Sequence, residues 1–350
     1  MSTASHTILF VGAFNNDPSI YTYAQSFVSA LESMGHTVIP FNYRTTFVPG
    51  TLLFGSIGTH LNQQICNQKL IQAVHKHHPT ILFLLKAEHV TAATLTTIKK
   101  HHACKIINFY PDNPFTLWNG NSTAHVVQRF PLCDCFLSWA TALIPQLKAA
   151  GCSHVCHFPF AYDEKIFSSA PLAVPSNYTT DLCFIGTWEP AREEWLSHLC
   201  RAVPQYSLAI WGNDWQQQCR DSTLKKCIRG KAVYNDTVVA TIQASKIVLN
   251  FIREQNMDSH NMRTFEVPAS GAFLLTQRTH EQAALYFTEG ESITCFTTPQ
   301  ELVEKITFYM THEHERCTIA RNGLERVQQF TLTKQLHSYF NNCPLLTRKG

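Results

Sequence analysis

The sequence predicts an α/β protein made of two doubly wound parallel-sheet domains. Three observations lead there. Short apolar, β-branched runs alternate along the chain with longer stretches of helical apolar spacing, the pattern of repeated βαβ units. That pattern starts twice, at Thr7 and again at Asp181, and the run Ala170–Thr180 between the two starts is rich in Pro, Ser and Thr. Finally, 350 residues exceed one typical core and suit two.

In the first half, Thr7–Ala13 reads as a strand, Tyr21–Met34 as a helix stopped at Gly35, and His36–Tyr43 as a second strand. Gly12 lacks the G-x-G-x-x-G spacing of a dinucleotide fingerprint, which excludes a nicotinamide site there. Arg44–His60 reads as a loop, Leu61–His77 as a helix, Thr80–Leu85 as a strand and Thr91–His102 as a helix. Lys105–Phe109, Cys133–Trp139 and His154–Phe158 follow as strands, with Ala142–Ala150 a helix closed by Gly151. Charged residues just past a strand's carboxyl end are candidates for catalysis in an open α/β sheet, which singles out Glu88, His89 and Asp112. Each also has a plain structural use, as a turn former or a helix cap.

The second half restarts with the strand Asp181–Ile185, the turn Gly186-Thr187-Trp188, and a helix that opens at Pro190-Ala191-Arg192 and runs through Leu199. A strand, a glycine turn and a helix start form a possible anion site, with backbone N–H groups and Arg192 available to a pyrophosphate. Tyr206–Ile210 is the next strand, Tyr234–Ser245 a helix and Lys246–Ile252 a buried strand. Glu281–Phe287, Pro299–Met310 (capped by Thr298), His314–Gln329 and Leu332–Phe340 read as helices, and Ser292–Phe296 as a strand.

The most informative stretch is Asn261–Leu275, NMRTFEVPASGAFLL. Met262–Ala269 reads as a short helix ended at Ser270-Gly271, where glycine accepts a left-handed turn, and Ala272–Thr276 as the next strand. At this helix start Arg263 suits a phosphate and Glu266 suits a pair of sugar hydroxyls. Their i,i+3 spacing fits an ordinary surface helix pair equally well.

This segment resembles the donor site of the CgeB-like, spore-maturation type of glycosyltransferase, and more broadly two-domain glycosyltransferases of the GT-B fold. The resemblance is strongest over Tyr234–Phe330 and weak before Lys105. It extends to the linker Pro159–Phe167, with its proline, small residue, acidic residue and phenylalanine. It implies two Rossmann-like α/β/α domains facing a central cleft: residues 1–165 on the acceptor side, residues 166–330 binding the nucleotide sugar, and residues 331–350 as a helix crossing back to the first domain. In many such enzymes two acids are seven positions apart and the second holds the ribose. Glu266 falls on that second position, and the first is Asp258 rather than Glu. The strand–Gly–turn–Arg arrangement at Gly186, Thr187 and Arg192 also recurs in similar proteins.

Composition narrows the partners. Lys+Arg 28 against Asp+Glu 25 gives a net charge of +3 without a basic block, which disfavours nucleic acid. The 13 cysteines are scattered, and Cys104, Cys133, Cys135, Cys183 and Cys295 sit in apparent strands. That pattern reads as buried free thiols in a reducing cytoplasm. Cys133-Asp-Cys135 and Cys152-x3-Cys156-His157 are poor metal spacings, so no metal is expected. No apolar stretch approaches the ~20 residues that span a bilayer, and Ile8–Phe14 reads as a first strand rather than a signal peptide.

Three functions are compatible with these residues. The first is a metal-independent sugar transferase with a nucleotide-sugar donor and an unidentified glycan, protein or small-molecule acceptor. In it Arg263 and Arg192, helped by Lys231, neutralise the leaving diphosphate, Glu266 holds the ribose, and Asp258, Asn261, Gly186 and Thr187 complete the donor site. His89 or Asp112 would act on the acceptor hydroxyl. The second is a nucleotide-sugar epimerase of the same fold. The third is a nucleotide- or sugar-binding assembly protein without turnover. Trp118, Trp188, Trp211 and Trp215 are candidates to stack on a base or sugar, and equally serve as packing residues.

Overall fold

The computed structural model describes residues 5–15, 17, 20–45, 55–116, 122, 124–167 and 177–347. Trp118 and most of the Ala170–Thr180 run lie outside the described residues. Two compact units are present: Met1–Pro159 with Leu332–Gly350, and Phe160–Thr331. The division falls at Pro159, a few residues before the Lys165 boundary read from the linker.

The first unit is built on a six-stranded parallel sheet: β1 (Thr7–Gly12), β2 (Thr37–Asn42), β3 (Ile81–Leu85), β4 (Lys105–Phe109), β5 (Cys135–Ser138) and β6 (Val155–His157). Its strand order is β2-β1-β3-β4-β5-β6, so the chain reverses its direction of travel across the sheet between β1 and β3. Every residue of β3, Ile-Leu-Phe-Leu-Leu, is buried, as expected of a parallel strand covered on both faces. On one face Phe10 stacks on Phe83 at 5.2 Å, and Phe109 packs against Phe27 and Phe158 at 5.7 and 5.3 Å. Each such ring contributes roughly 1.5–3 kcal/mol by leaving water.

Helix ends follow local chemistry. Thr22 and Gln25 form a reciprocal capping box at the start of the helix Tyr23–Ser33. The next helix runs Gly55–His77, so its first turns occupy part of what the polar composition of Arg44–His60 suggested as loop. The chain's last long helix, Leu332–Asn342, belongs to the first unit, where Phe340 packs on His36 at 4.8 Å and Tyr339 meets Phe158 at 6.5 Å.

The second unit carries its own parallel sheet: β7 (Thr180–Ile185), β8 (Leu208–Trp211), β9 (Ile228–Gly230), β10 (Ser245–Asn250), β11 (Leu274–Gln277) and β12 (Thr294–Phe296). The order is β12-β11-β10-β7-β8-β9. The chain steps outward through β8 and β9, then returns to the other side of β7. This places a topological switch point between β7 and β10, the place where open α/β sheets bind ligands. Phe251 joins the core beneath that point, 5.4 Å from Phe184 and 5.7 Å from Phe296. Among the described residues no helix is long and apolar enough to cross a membrane.

Candidate donor site at the switch point of the second sheet

The carboxyl ends of β7 and β10 bring three arginines together. Arg192 lies in the first turn of the helix Pro190–Ala202, which follows β7 through the turn Gly186–Glu189. Its guanidinium donates to the Thr187 carbonyl at 2.8 Å and to the Phe251 carbonyl at 3.4 Å, spanning the switch point from one strand end to the other. Arg253 comes just past β10 and Arg263 opens the short helix Arg263–Ala269. Glu189 stands between two of them, 3.5 Å from Arg192 Nε and 2.6 Å from Arg253 Nε. Arg192 is 8% exposed. Burial, opposed by Glu189 and reinforced by the neighbouring Arg253 and Arg263 charges, brings its pKa down to about 10. Three guanidinium groups here share two carboxylates, Glu189 and Glu266, so the cluster has positive charge that an anion would balance.

Glu266 is buried and its carboxylate pairs with Arg263. The i,i+3 spacing read from the sequence is therefore an ion pair at the edge of the arginine cluster rather than on an open helix surface. The helix ends at Gly271, whose φ of 73° is left-handed.

Gly186 and Gly212 let two chain segments approach where a larger residue would not fit. A Cβ on Gly212 would lie 1.9 Å from the Gly186 carbonyl oxygen. The same carbonyl accepts from Trp215 Nε1 at 2.7 Å, and Trp188 Nε1 donates to Glu193 at 2.6 Å. These two tryptophans are thus engaged in holding the turn.

Asn261 has a positioning task. Its side chain exchanges hydrogen bonds with Asn250 at 3.1 and 2.9 Å and accepts from the Thr264 amide at 3.3 Å, which fixes the start of the Arg263 helix to the end of β10. The Asp258 carboxylate accepts from the His280 amide at 2.8 Å. Lys231 is exposed just beyond β9. His260, fully buried, accepts at Nε2 from the Phe160 amide at 3.0 Å, so its proton sits on Nδ1, 2.9 Å from Ser259 Oγ. Ser259 and Tyr286 both donate to Glu281, closing a buried network that anchors the loop leading to Arg263.

The sequence reading missed Arg253, Glu189 and the close approach of Gly212. Arg253 satisfies the rule that selected Glu88 and Asp112, since it is charged and lies immediately past a strand. Glu189 was hidden in a Glu-Pro helix start. Gly212 needed the three-dimensional pairing of β7 with β8.

In the first unit, the segment after β3 carries Lys86 and Ala87 at left-handed φ values of 57° and 49°. The fully buried Arg129 holds that segment by donating to the carbonyls of Lys86, Ala87 and Val90. Asp112 pairs with Lys86 at 2.9 Å. Glu88 accepts from the Tyr43 hydroxyl at 2.8 Å and from Arg44 at 3.0 Å. His89 Nδ1 lies 3.1 Å from the Tyr43 carbonyl, an arrangement that puts the proton on Nδ1 and leaves Nε2 as the basic nitrogen. Among the described residues no group of three His, Cys, Asp or Glu side chains is arranged to hold a metal ion.

Comparison with known proteins agrees with this architecture. Residues 192–339 match the family described as glycosyl transferase-like. Among solved structures, sucrose-phosphate synthase from Thermosynechococcus elongatus superposes with a TM-score of 0.67 at 12% identity, covering 96% of this chain and 98% of that one. The apo structure of OtsA gives 0.67 at 12% identity, with 99% and 100% covered. Anabaena HepE in complex with UDP-glucose gives 0.61 at 13% identity, with 96% and 99% covered. No curated protein sequence matches the chain. The chain thus has the GT-B fold, and the segment similar to the glycosyl transferase-like family includes Arg192, Arg253, Arg263 and Glu266.

Proposed function

We propose that the chain transfers a sugar from a nucleoside-diphosphate donor, UDP-linked in the first instance, to a hydroxyl acceptor. The observation that carries this reading is the gathering of Arg192, Arg253 and Arg263 across the β7–β10 switch point, beside the buried Glu266. Negative charge grows on the diphosphate as the glycosidic bond breaks and the sugar becomes oxocarbenium-like. Guanidinium groups fixed by carbonyls and carboxylates before the reaction stabilise that charge without reorganising. With that much positive charge supplied by side chains, the reading needs no metal. Glu266 would take the ribose hydroxyls, releasing Arg263 to the phosphates. UDP is the first nucleotide to test because the similarly folded HepE binds UDP-glucose.

The acceptor side is assigned to the first unit, with His89 as the base, since Asp112 is held by Lys86. Within the glycosyl transferase-like family, the segment Asn261–Leu275 supports a place beside the CgeB-like branch. Thirteen free thiols, nine of them buried, support work in the cytoplasm.

The test is thermal stabilisation by UDP and UDP-glucose, with ADP and GDP as controls, on the wild type, Glu266→Ala and Arg253→Ala. A nucleotide present at about 100 times its dissociation constant adds about 2.7 kcal/mol to a folded protein that binds it. The expected result is stabilisation of the wild type that both variants lose. Stabilisation retained by both variants, or absent at millimolar UDP in the wild type, overturns the reading. Release of glucose from UDP-glucose in the wild type then separates a transferase from a protein that only binds.

A further inference from the structure

Nine of the 13 cysteines are buried, and four are half-exposed: Cys156, Cys200, Cys227 and Cys317. Two of these four touch each other, with Cys200 Sγ 3.9 Å from Cys227 Sγ. They belong to different elements. Cys200 lies in the last turn of the helix Pro190–Ala202, and Cys227 lies between the short helix Ser222–Lys225 and β9. The two segments are already fastened together. Glu193, two turns before Cys200 on the same helix, accepts from the amides of Arg220 and Asp221 at 2.6 and 2.9 Å, and Arg201 pairs with Asp221 at 3.1 Å. The thiols therefore meet between two backbone segments that polar contacts hold together. The half-exposed Cys156 also touches a thiol, but its partner Cys135 is completely buried in β5.

Either thiol can donate across this contact, and Cys227 also donates to the Thr223 carbonyl at 3.8 Å. The contact lowers the Cys227 pKa, against the effect of burial and with Arg229 nearby, and together with burial raises that of Cys200. Cys227 is thus the more readily ionised of the two.

We propose that Cys200 and Cys227 form a thiol–disulfide exchange site that takes small disulfides of the glutathione class and closes to an intramolecular disulfide. The Cys227 thiolate attacks one sulfur of glutathione disulfide. A mixed disulfide forms on Cys227 and one glutathione thiolate leaves. Cys200 then gives its proton to solvent and attacks the Cys227 sulfur, releasing the second glutathione. Two protein thiols are oxidised, and one glutathione disulfide is reduced to two thiols. The product ties the far end of the Arg192 helix to the edge of the second sheet.

The experiment treats the reduced full chain with rising ratios of oxidised to reduced glutathione, followed by intact mass and peptide mapping. The wild type should lose the mass of two hydrogens, mapped to Cys200–Cys227, and should melt several degrees higher once that loop is closed. Cys200→Ser should accumulate one glutathionyl group on Cys227, and Cys227→Ser should carry about tenfold less adduct on Cys200. Cys200→Ala and Cys227→Ala, checked for an unchanged melting temperature in the reduced state, repeat both arms. The proposal is overturned if Cys156 or Cys317 is modified before Cys227, if the adduct prefers Cys200, or if no Cys200–Cys227 bond forms in excess oxidised glutathione.

Discussion

The Glu189 carboxylate lies 2.6 Å from Arg253 Nε, and so in the free protein an internal anion occupies the arginine cluster. The same carboxylate reaches Arg192 at 3.5 Å. A diphosphate bound to these arginines competes with Glu189 for the same positive charge. Replacing Glu189 with Gln keeps the shape and removes the competitor, so UDP affinity should rise by about three- to tenfold, corresponding to roughly 1 kcal/mol. Isothermal titration calorimetry measures this directly. A fall in affinity would mean that Glu189 serves mainly to aim Arg192 and Arg253.

Gly212→Ala probes the turn that carries the site. The new methyl would meet the Gly186 carbonyl oxygen at 1.9 Å and the Thr187 nitrogen at 3.2 Å, both backbone atoms that cannot rotate away. Relief requires moving the Gly186–Thr187 turn, on which Arg192 depends through the Thr187 carbonyl. Overpacking of this kind costs about 1–3 kcal/mol. A lower urea midpoint should therefore accompany weaker UDP binding. A variant as stable as the wild type with unchanged affinity would show that the turn yields freely.

Glu88 gives the first unit an acid-sensitive contact. Burial pushes its carboxyl up, but Lys86, the Tyr43 hydroxyl and Arg44 together outweigh burial and hold it below its ordinary value of 4.5. A carboxylate depressed in the folded state stabilises the fold above its unfolded pKa, and that contribution is lost as pH falls through the folded pKa. The stability gap between the wild type and Glu88→Gln should therefore be largest at neutral pH and close in acid. Urea midpoints across that range test it. A gap that stays constant with pH would assign the cost of the variant to packing or hydrogen bonding alone.

The fold was legible because parallel strands buried on both faces have no polar side to hide. Ile-Leu-Phe-Leu-Leu of β3 and Lys-Ile-Val-Leu-Asn of β10 stand out in any reading of hydrophobicity. Arg192, Arg263 and Glu266 stand out in the sequence because a helix start beyond such a strand offers backbone N–H groups to an anion. The rest depended on strand order. Only the pairing of β10 with β7 brings Arg253 to Glu189, and only the pairing of β8 with β7 sets Gly212 against Gly186. Asn261 shares its side chain with Asn250 and the Thr264 amide, because a helix start without a Ser or Thr cap needs another acceptor. Asp258, the first of the two acids, accepts the His280 amide.

Arg129 supports the last prediction. It is fully buried, and burial lowers its pKa, yet what it meets are the carbonyls of Lys86, Ala87 and Val90. Those carbonyls face inward because Lys86 and Ala87 adopt left-handed backbone angles that ordinary residues avoid. The arginine and the unusual turn therefore require each other. Arg129→Met fills much of the volume but removes the guanidinium donors, leaving the Ala87 carbonyl only the Val90 amide, and should cost about 3 kcal/mol or more. Arg129→Lys restores a charge and up to three donors without the planar fork, and should recover part of that loss. Urea unfolding gives the energies, and hydrogen exchange across Lys86–Val90 gives the local effect. If Arg129→Met unfolds at the wild-type midpoint with unchanged exchange, the turn holds itself and the arginine only fills space. If exchange rises there while Lys recovers part of it, the buried cationic donors are what keep Glu88 and His89 in place.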